Sequence, residues 1–137
     1  MSLDLRLRTQ RRAKRQCEYC QMPEELDTLV FHVDHIIAQK HRGPTTLGNL
    51  AWSCFSCNNQ KQSDIAGIDP EGSRNKIVRL FHPRTDSWNE HFEWEGPQLL
   101  GKTSIGRVTL YVLGINLPHR VAFRQLVIEE GVFPPGS

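Results

Sequence analysis

The sequence predicts an α+β fold in which a hairpin and a helix are pinned together by paired cysteines, followed by a small α/β extension. Three observations carry this expectation. All four cysteines of the 137-residue chain fall into two Cys-x-x-Cys pairs, Cys17/Cys20 and Cys54/Cys57. Between them the β-branched and aromatic run Leu29-Val30-Phe31-His32-Val33 leads into Asp34-His35-Ile36-Ile37, which reads as a strand with polar groups at its end. Around Gly67-Ile68-Asp69-Pro70-Glu71-Gly72 the composition turns to loop, and beyond it short strand-like runs precede helical apolar spacing.

Taken in order, residues 5–16 read as a short basic helix leading to the knuckle Cys17-Glu18-Tyr19-Cys20, with Pro23 just behind it. Residues 29–33 form the strand, and 40–46, with Gly43 and Pro44, a polar loop. Residues 47–52 are expected to be a helical turn capped by Thr45 or Thr46. Cys54-Phe55-Ser56-Cys57 then opens a helix through Lys61. In the second half, 76–81 and 91–94 read as strands and 99–102 as a third. Residues 105–115 have helical apolar spacing, although Val108, Thr109, Tyr111 and Val112 also suit a strand. Residues 119–130 form the clearest helix, with Pro118 at its start and Gly131 as C-cap. The last four residues, Pro134-Pro135-Gly136-Ser137, are a tail. The domain boundary is placed so that 1–66 make the core with a basic arm and 67–137 an extension packing on it.

A chain of this length is one domain with a modest core, for which a stabilising metal is unsurprising. The net charge of +2 is small, but Arg6, Arg8, Arg11, Arg12, Lys14 and Arg15 concentrate positive charge ahead of the first clip. Such an arm suits phosphates; its bland alternative is a solvated terminus. No apolar stretch approaches membrane-span length and the first residues alternate Arg with Leu, so a cytoplasmic location without membrane contact is expected. In a reducing compartment two Cys-x-x-Cys units favour metal over disulfide. Four thiolates in two short clips suit tetrahedral zinc, with Zn–S bonds of about 2.3 Å. Cys20 and Cys54 are separated by 33 residues, so the insertion must carry structure of its own. A redox pair is the alternative, but it would use one clip and need a βαβ context.

An acid–imidazole pair held inside such a clamp offers the means to attack a phosphodiester. At this point the residues resemble a family: Asp34-His35-Ile36-Ile37, then Asn49-Leu50, then Cys54-x-x-Cys57-Asn58-x-x-Lys61 is similar to the HNH endonucleases, over residues 17 to about 64. The resemblance implies a zinc-stabilised ββα-metal core. It implies that His35 is the general base, that Asp34 and Asn58 hold one catalytic Mg²⁺ or Mn²⁺, and that Asn49 ties the loop to the hairpin. Lys61 would touch a neighbouring phosphate, and Arg42, Arg11, Arg12, Lys14 and Arg15 would contact DNA, expected to be double-stranded. Asn58 stands where many members have His, which should weaken metal affinity, and Ala38 stands where Pro often follows. Residues 65–137 also look like the extension of some small bacterial HNH proteins, at Leu80-Phe81-His82-Pro83, Trp88 and Ile105-Gly106-Arg107.

Adjacent strand residues point to opposite faces, so the strand is expected to end, bend or bulge at Asp34-His35 if both are to reach one phosphate. His32, two residues earlier, shares the Asp34 face and is a secondary candidate. His82, Asp86 and His91 fit no metal spacing and read as structural, and the three tryptophans read as packing. The competing function is a zinc-stabilised nucleic-acid-binding module that does not cut. Pairing of two copies as a homodimer stays open.

Overall fold

The computed structural model describes residues 1–134; the final three residues of the expected tail lie outside that range. Helix α1 (Leu3–Arg12) is capped by the Ser2 hydroxyl, which accepts from the Leu5 N–H at 3.2 Å. Asp4 in its first turn and Arg11 and Arg12 in its last complement the helix dipole. Strand β1 (His32–His35) pairs antiparallel with β2 (Leu50–Ser53), and α2 (Phe55–Lys61) follows directly. Its N-cap is Cys54, whose sulfur accepts from the Cys57 N–H at 3.3 Å.

The register sets the faces of this ribbon. His32 opposes Ser53, Val33 opposes Trp52, Asp34 opposes Ala51 and His35 opposes Leu50. Side chains alternate, so His32 and Asp34 share one face and Val33, His35, Leu50 and Trp52 the other. Helix α1 covers the second face. Its Arg6 guanidinium lies 5.2 Å from the Trp52 ring centroid, and Arg12 donates to the carbonyls of Leu47 and Leu50 at 2.9 and 2.7 Å. Helix α2 covers the first, where Lys61 reaches Asp34 and the Phe55 ring sits 6.1 Å from that of His32.

The remainder consists of β3 (Ala66–Ile68) paired with β4 (Ile77–Arg79), a short α3 (Trp88–His91), β5 (Phe92–Glu95) paired with β6 (Gln98–Gly101), then α4 (Ser104–Val112) and α5 (Pro118–Glu129). All three two-stranded ribbons are antiparallel, which makes the class α+β throughout. Gly106 lets α4 approach α3, since a Cβ there would strike the His91 carbonyl oxygen. One hydrophobic cluster holds the cysteines, Tyr19, Phe31 and Trp52 together with Phe81, Phe92, Leu99, Val108 and Leu113. Two indoles bridge the halves: Trp88 Nε1 donates to the Tyr19 carbonyl at 2.9 Å and Trp94 Nε1 to Gln21 Oε1 at 3.0 Å.

Several sequence expectations shift. Leu29 and Val30 are exposed and lie outside the ladder; an Asp27 side-chain turn onto the Leu29 N–H (2.9 Å) delays the strand until His32. Residues 47–52 are not a helical turn: only Leu47–Asn49 is helical, as a single 3₁₀ turn, and Leu50–Ser53 is the partner strand. All four residues of that strand are buried, so no alternation betrays it. The loop composition near Gly67 conceals β3, and the change placed at 66–67 falls inside that strand. The expected strand at 76–81 shrinks to Ile77–Arg79, and 91–94 moves to Phe92–Glu95 because Trp88–His91 takes a helical turn first. The ladder runs regularly through Asp34 and His35 and β1 stops at His35, so the strand ends at the expected pair but neither bends nor bulges there. The Thr103 hydroxyl, accepting from the Gly106 N–H, caps α4, which ends at Val112 before the expected 115, and Gly131, with φ +75°, follows the C-cap Glu130 of α5.

Thr109, fully buried in α4, accepts from the Phe81 N–H at 2.9 Å and donates to the Ile105 carbonyl at 2.7 Å. Thr109→Val keeps the shape but leaves the Phe81 N–H unpaired in the core. It should cost about 1–3 kcal/mol in urea unfolding, and an unchanged midpoint would show that this N–H finds another partner.

Candidate functional site

The four cysteines converge. Their sulfurs all lie within 4.8 Å of one another, and Cys20 Sγ to Cys54 Sγ is 3.8 Å. Bonds of about 2.3 Å around a tetrahedral zinc place sulfurs about 3.8 Å apart, whereas a disulfide needs about 2.05 Å; all four are free thiols. The Cys20 N–H donates to Cys17 Sγ at 3.4 Å, which mirrors the Cys57-to-Cys54 contact of the second clip. Burial raises the Cys17 thiol well above its ordinary pKa, and hydrogen bonds among the sulfurs raise Cys54, while hydrogen bonding from Cys17 lowers Cys20. A divalent cation in their midst would let all four thiolates form together. The donor set fits zinc. Knuckle and ribbon are tied as well: the Glu18 N–H donates to the Trp52 carbonyl, and the Trp52 N–H to Glu18 Oε1, each at 2.9 Å.

The residues between the clips fall into three separate groups. Asp34, 5% exposed, accepts from the Tyr19 hydroxyl at 2.6 Å and from Lys61 Nζ at 3.1 and 3.2 Å. Burial raises its pKa, against the pull of Lys61 and Tyr19. Lys61 is 1% exposed and also donates to the His35 carbonyl at 3.1 Å. It is thus no phosphate contact but the counterion of Asp34, because an unpaired carboxylate at that depth would be costly.

Asn49 fills the second group. Its amide donates to the carbonyls of Ile37 and Pro44 and accepts from the Ile37 N–H, each at 2.9 Å. Gly43 belongs to the same knot, since a Cβ there would strike the Ile37 carbonyl. His35 stands at the rim, its Nε2 2.9 Å from Thr45 Oγ1, and Gln39 Nε2 donates to the same hydroxyl at 3.3 Å. Among the described residues, Nδ1 of His35 has no hydrogen-bond partner.

Asn58 makes the third group. Among the described residues its side chain has no hydrogen-bond partner, and it faces, with His32, Val33 and Arg6, a cavity of about 430 Å³ between the start of α1 and α2. Neither Asp34 nor His35 lines that cavity, so Asp34, His35 and Asn58 do not share one pocket. Asn58 and Lys61, three apart, lie on the same side of α2, which puts Asn58 one helical turn from the carboxylate.

Among the cations expected on nucleic acid, Arg11, Lys14, Arg15 and Arg42 are exposed. Lys14, Arg15 and Arg42 have positive φ, at 56°, 57° and 74°. Arg12 is a strut, with its guanidinium spent on two carbonyls. His82, Asp86 and His91 form no metal site: Asp86 is clamped by Arg79 at 2.7 and 2.9 Å, and His91 Nδ1 lies 2.6 Å from Thr103 Oγ1. Among the described residues only the cysteines group as metal ligands. Tyr19, Thr45 and Arg120 were not among the expected site residues. Tyr19 sits inside the first knuckle, where its burial was legible, but its partner 15 residues on was not. Arg120 approaches the sulfurs from 63 residues away, and nothing local marks it.

With this geometry in place, comparison with known proteins identifies the class. Residues 17–64 match the family model of the HNH endonucleases, from the first cysteine of one clip to just past the second. That segment is therefore HNH-like, and the family's association is with nuclease and nucleic-acid chemistry. No curated protein and no solved structure matches the chain.

Lys61→Met leaves Asp34 buried with only Tyr19 beside it. It should destabilise the zinc-loaded protein by about 3–5 kcal/mol in urea unfolding; a loss below 1 kcal/mol would mean the pair is dispensable. Elemental analysis should find one zinc per chain, and Cys54→Ala should lose both zinc and cooperative unfolding. A folded, zinc-free Cys54→Ala protein of ordinary stability would contradict the structural role of the metal.

Proposed function

We propose that this protein is a metal-dependent endonuclease that hydrolyses phosphodiester bonds in DNA, with a duplex as its substrate. The observation that carries this reading is the setting of His35 within a matched HNH segment. The ring is held at Nε2, and Nδ1 is left without a partner. With its proton on Nε2 and donated to Thr45, the imidazole keeps the Nδ1 lone pair for a water molecule. That nitrogen takes the proton as the water oxygen bonds to phosphorus. The bond from phosphorus to the 3′ oxygen breaks, leaving 5′-phosphate and 3′-hydroxyl ends. General-base assistance of this kind contributes typically about 10²–10⁴-fold.

The regular ladder through Asp34-His35 sends the two side chains to opposite faces, and Asp34 lies buried beneath α2, so this arrangement counts against both acting on one phosphate without a rearrangement. Asn58 and Asp34 line no common cavity, so they could hold a shared Mg²⁺ or Mn²⁺ ion, whose chemistry would be to neutralise phosphate charge and stabilise the leaving oxygen, only after Lys61 moves off the carboxylate. Asn58 is already free for it. Lys61 is the group that must give way at Asp34, so the protein should need millimolar rather than trace divalent cation. Exposed Arg11, Lys14 and Arg15 at the end of α1 supply salt-dependent attraction to the sugar–phosphate backbone.

The Lys61–Asp34 ion pair also favours a second reading: a zinc-stabilised module that binds nucleic acid without cutting it, with Lys61 as the permanent occupant of the cation position. Plasmid nicking in Mg²⁺ or Mn²⁺ separates the two, and the ratio of nicked to linear product reports whether one copy or a pair acts. His35→Ala should lower nicking at least 10²-fold while leaving the thermal transition and DNA retention unchanged. Nicking that survives this substitution would remove His35 from the base position, and an inert wild-type protein that still binds DNA would favour the second reading.

A further inference from the structure

The zinc centre carries a charge problem that the two clips do not solve. Four thiolates around Zn²⁺ leave a net charge of −2, and all four cysteines are at most 2% exposed. A buried excess charge is strongly destabilising unless it is paired and hydrogen-bonded. The two N–H donors from Cys20 and Cys57 serve Cys17 and Cys54, and they carry no net charge.

Arg120, on the first turn of α5, meets that requirement. It is 7% exposed, with Nη2 3.1 Å from Cys57 Sγ and 3.9 Å from Cys54 Sγ. Its Nη1 donates to the carbonyls of Leu113 and Gly114 at 2.8 and 3.1 Å. The planar fork is therefore locked from one side by backbone and aimed with the other at sulfur. Arg124, one turn on, is a natural contrast. It is just as buried, but its donors go to the carbonyls of Pro97 and Ile115 and to Asn116 Oδ1, and none goes to sulfur.

We propose that Arg120 is a positioning residue of the zinc centre: it hydrogen-bonds the Cys57 thiolate and offsets part of the centre's excess charge, so that zinc retention depends on the C-terminal helix. This inference rests on the zinc site alone and is independent of whether the protein cuts DNA. It also gives residues outside the matched HNH segment a defined task. Without the metal, Arg120 loses the charged centre that it faces, and α5 loses a reason to stay docked.

The test uses the full chain and the variants Arg120→Gln, Arg120→Lys and Arg124→Gln. Zinc affinity is measured by competition with a chromogenic chelator. Losing an outer-shell partner typically weakens metal binding about 10–100-fold, and that loss is expected for Arg120→Gln. Arg120→Lys, which keeps the charge but not the fork, should fall between Gln and wild type. Arg124→Gln should unfold more easily yet bind zinc within about threefold of wild type. In the Co²⁺-substituted protein, removing the hydrogen bond raises the sulfur lone-pair energy, so the sulfur-to-cobalt charge-transfer band of both Arg120 variants should move to longer wavelength. Wild-type zinc affinity in Arg120→Gln, an unmoved cobalt band, or an equal loss in Arg124→Gln would each overturn the proposal. Should Arg120→Gln not fold at saturating zinc, Arg120→Lys decides: an unshifted band with unchanged affinity refutes it.

Discussion

Four sulfur atoms brought within 4.8 Å of one another in a dry interior are the constraint on which this architecture depends. Nothing in the local chain favours that approach, since thiols crowded together compete for protons and thiolates repel. The convergence suits a cation held among them. With that cation bound, Cys54, the helix cap of α2, would also be a ligand, so that metal binding and the start of α2 would be one event. The first knuckle is stitched to β2 through Glu18 and Trp52. A clamp at the base of the ribbon thereby fixes where α2 crosses it, and with that the positions of Asn58 and Lys61.

The consequences reach the polar residues between the clips. Helix α2 brings Lys61 under Asp34, and the resulting ion pair with Tyr19 as third member is a structural device in a place where chemistry was expected. A buried carboxylate needs a positive partner, and whether that partner is an ammonium or a metal ion decides between a resting scaffold and an open coordination site. The other face of the ribbon is built differently. There α1 lays Arg6 and Arg12 across Trp52 and the β2 carbonyls, and His35 stands at the rim beside Thr45. The basic helix is therefore partly mortar and partly outward charge, a division its composition alone does not reveal.

How far the sequence could be read follows from where each signal resides. The clips were legible because spacing is a local property and thiolate chemistry restricts the alternatives. The ends of α5 were legible to within a residue, through Pro118 and Gly131, whereas α4 stops at Val112, three residues before the expected end. Strand β2 was not, because Leu50-Ala51-Trp52-Ser53 is buried on both faces and a fully buried strand loses the alternation that identifies it. Strand β3 hid in a glycine-containing run beside a proline. The site divided the same way. Asn49 looked like a scaffold residue, and its amide does bind three loop backbone groups; Lys61 looked like a surface cation, and its burial arises from an ion pair across 27 residues. Long-range pairing of that kind leaves no trace in a single sequence.

The seam between the two halves bears on modularity. Tyr19 and Gln21, both next to Cys20, receive the indole N–H groups of Trp88 and Trp94, and a guanidinium from α5 closes over Cys57. A chain ending after the second clip would keep all four cysteines and yet bare one flank of their cluster to water, with two indole anchors missing. The homologous segment here is accordingly not a cassette that can be lifted out and grafted; the later residues are its missing wall, and excision should yield a leaky cage.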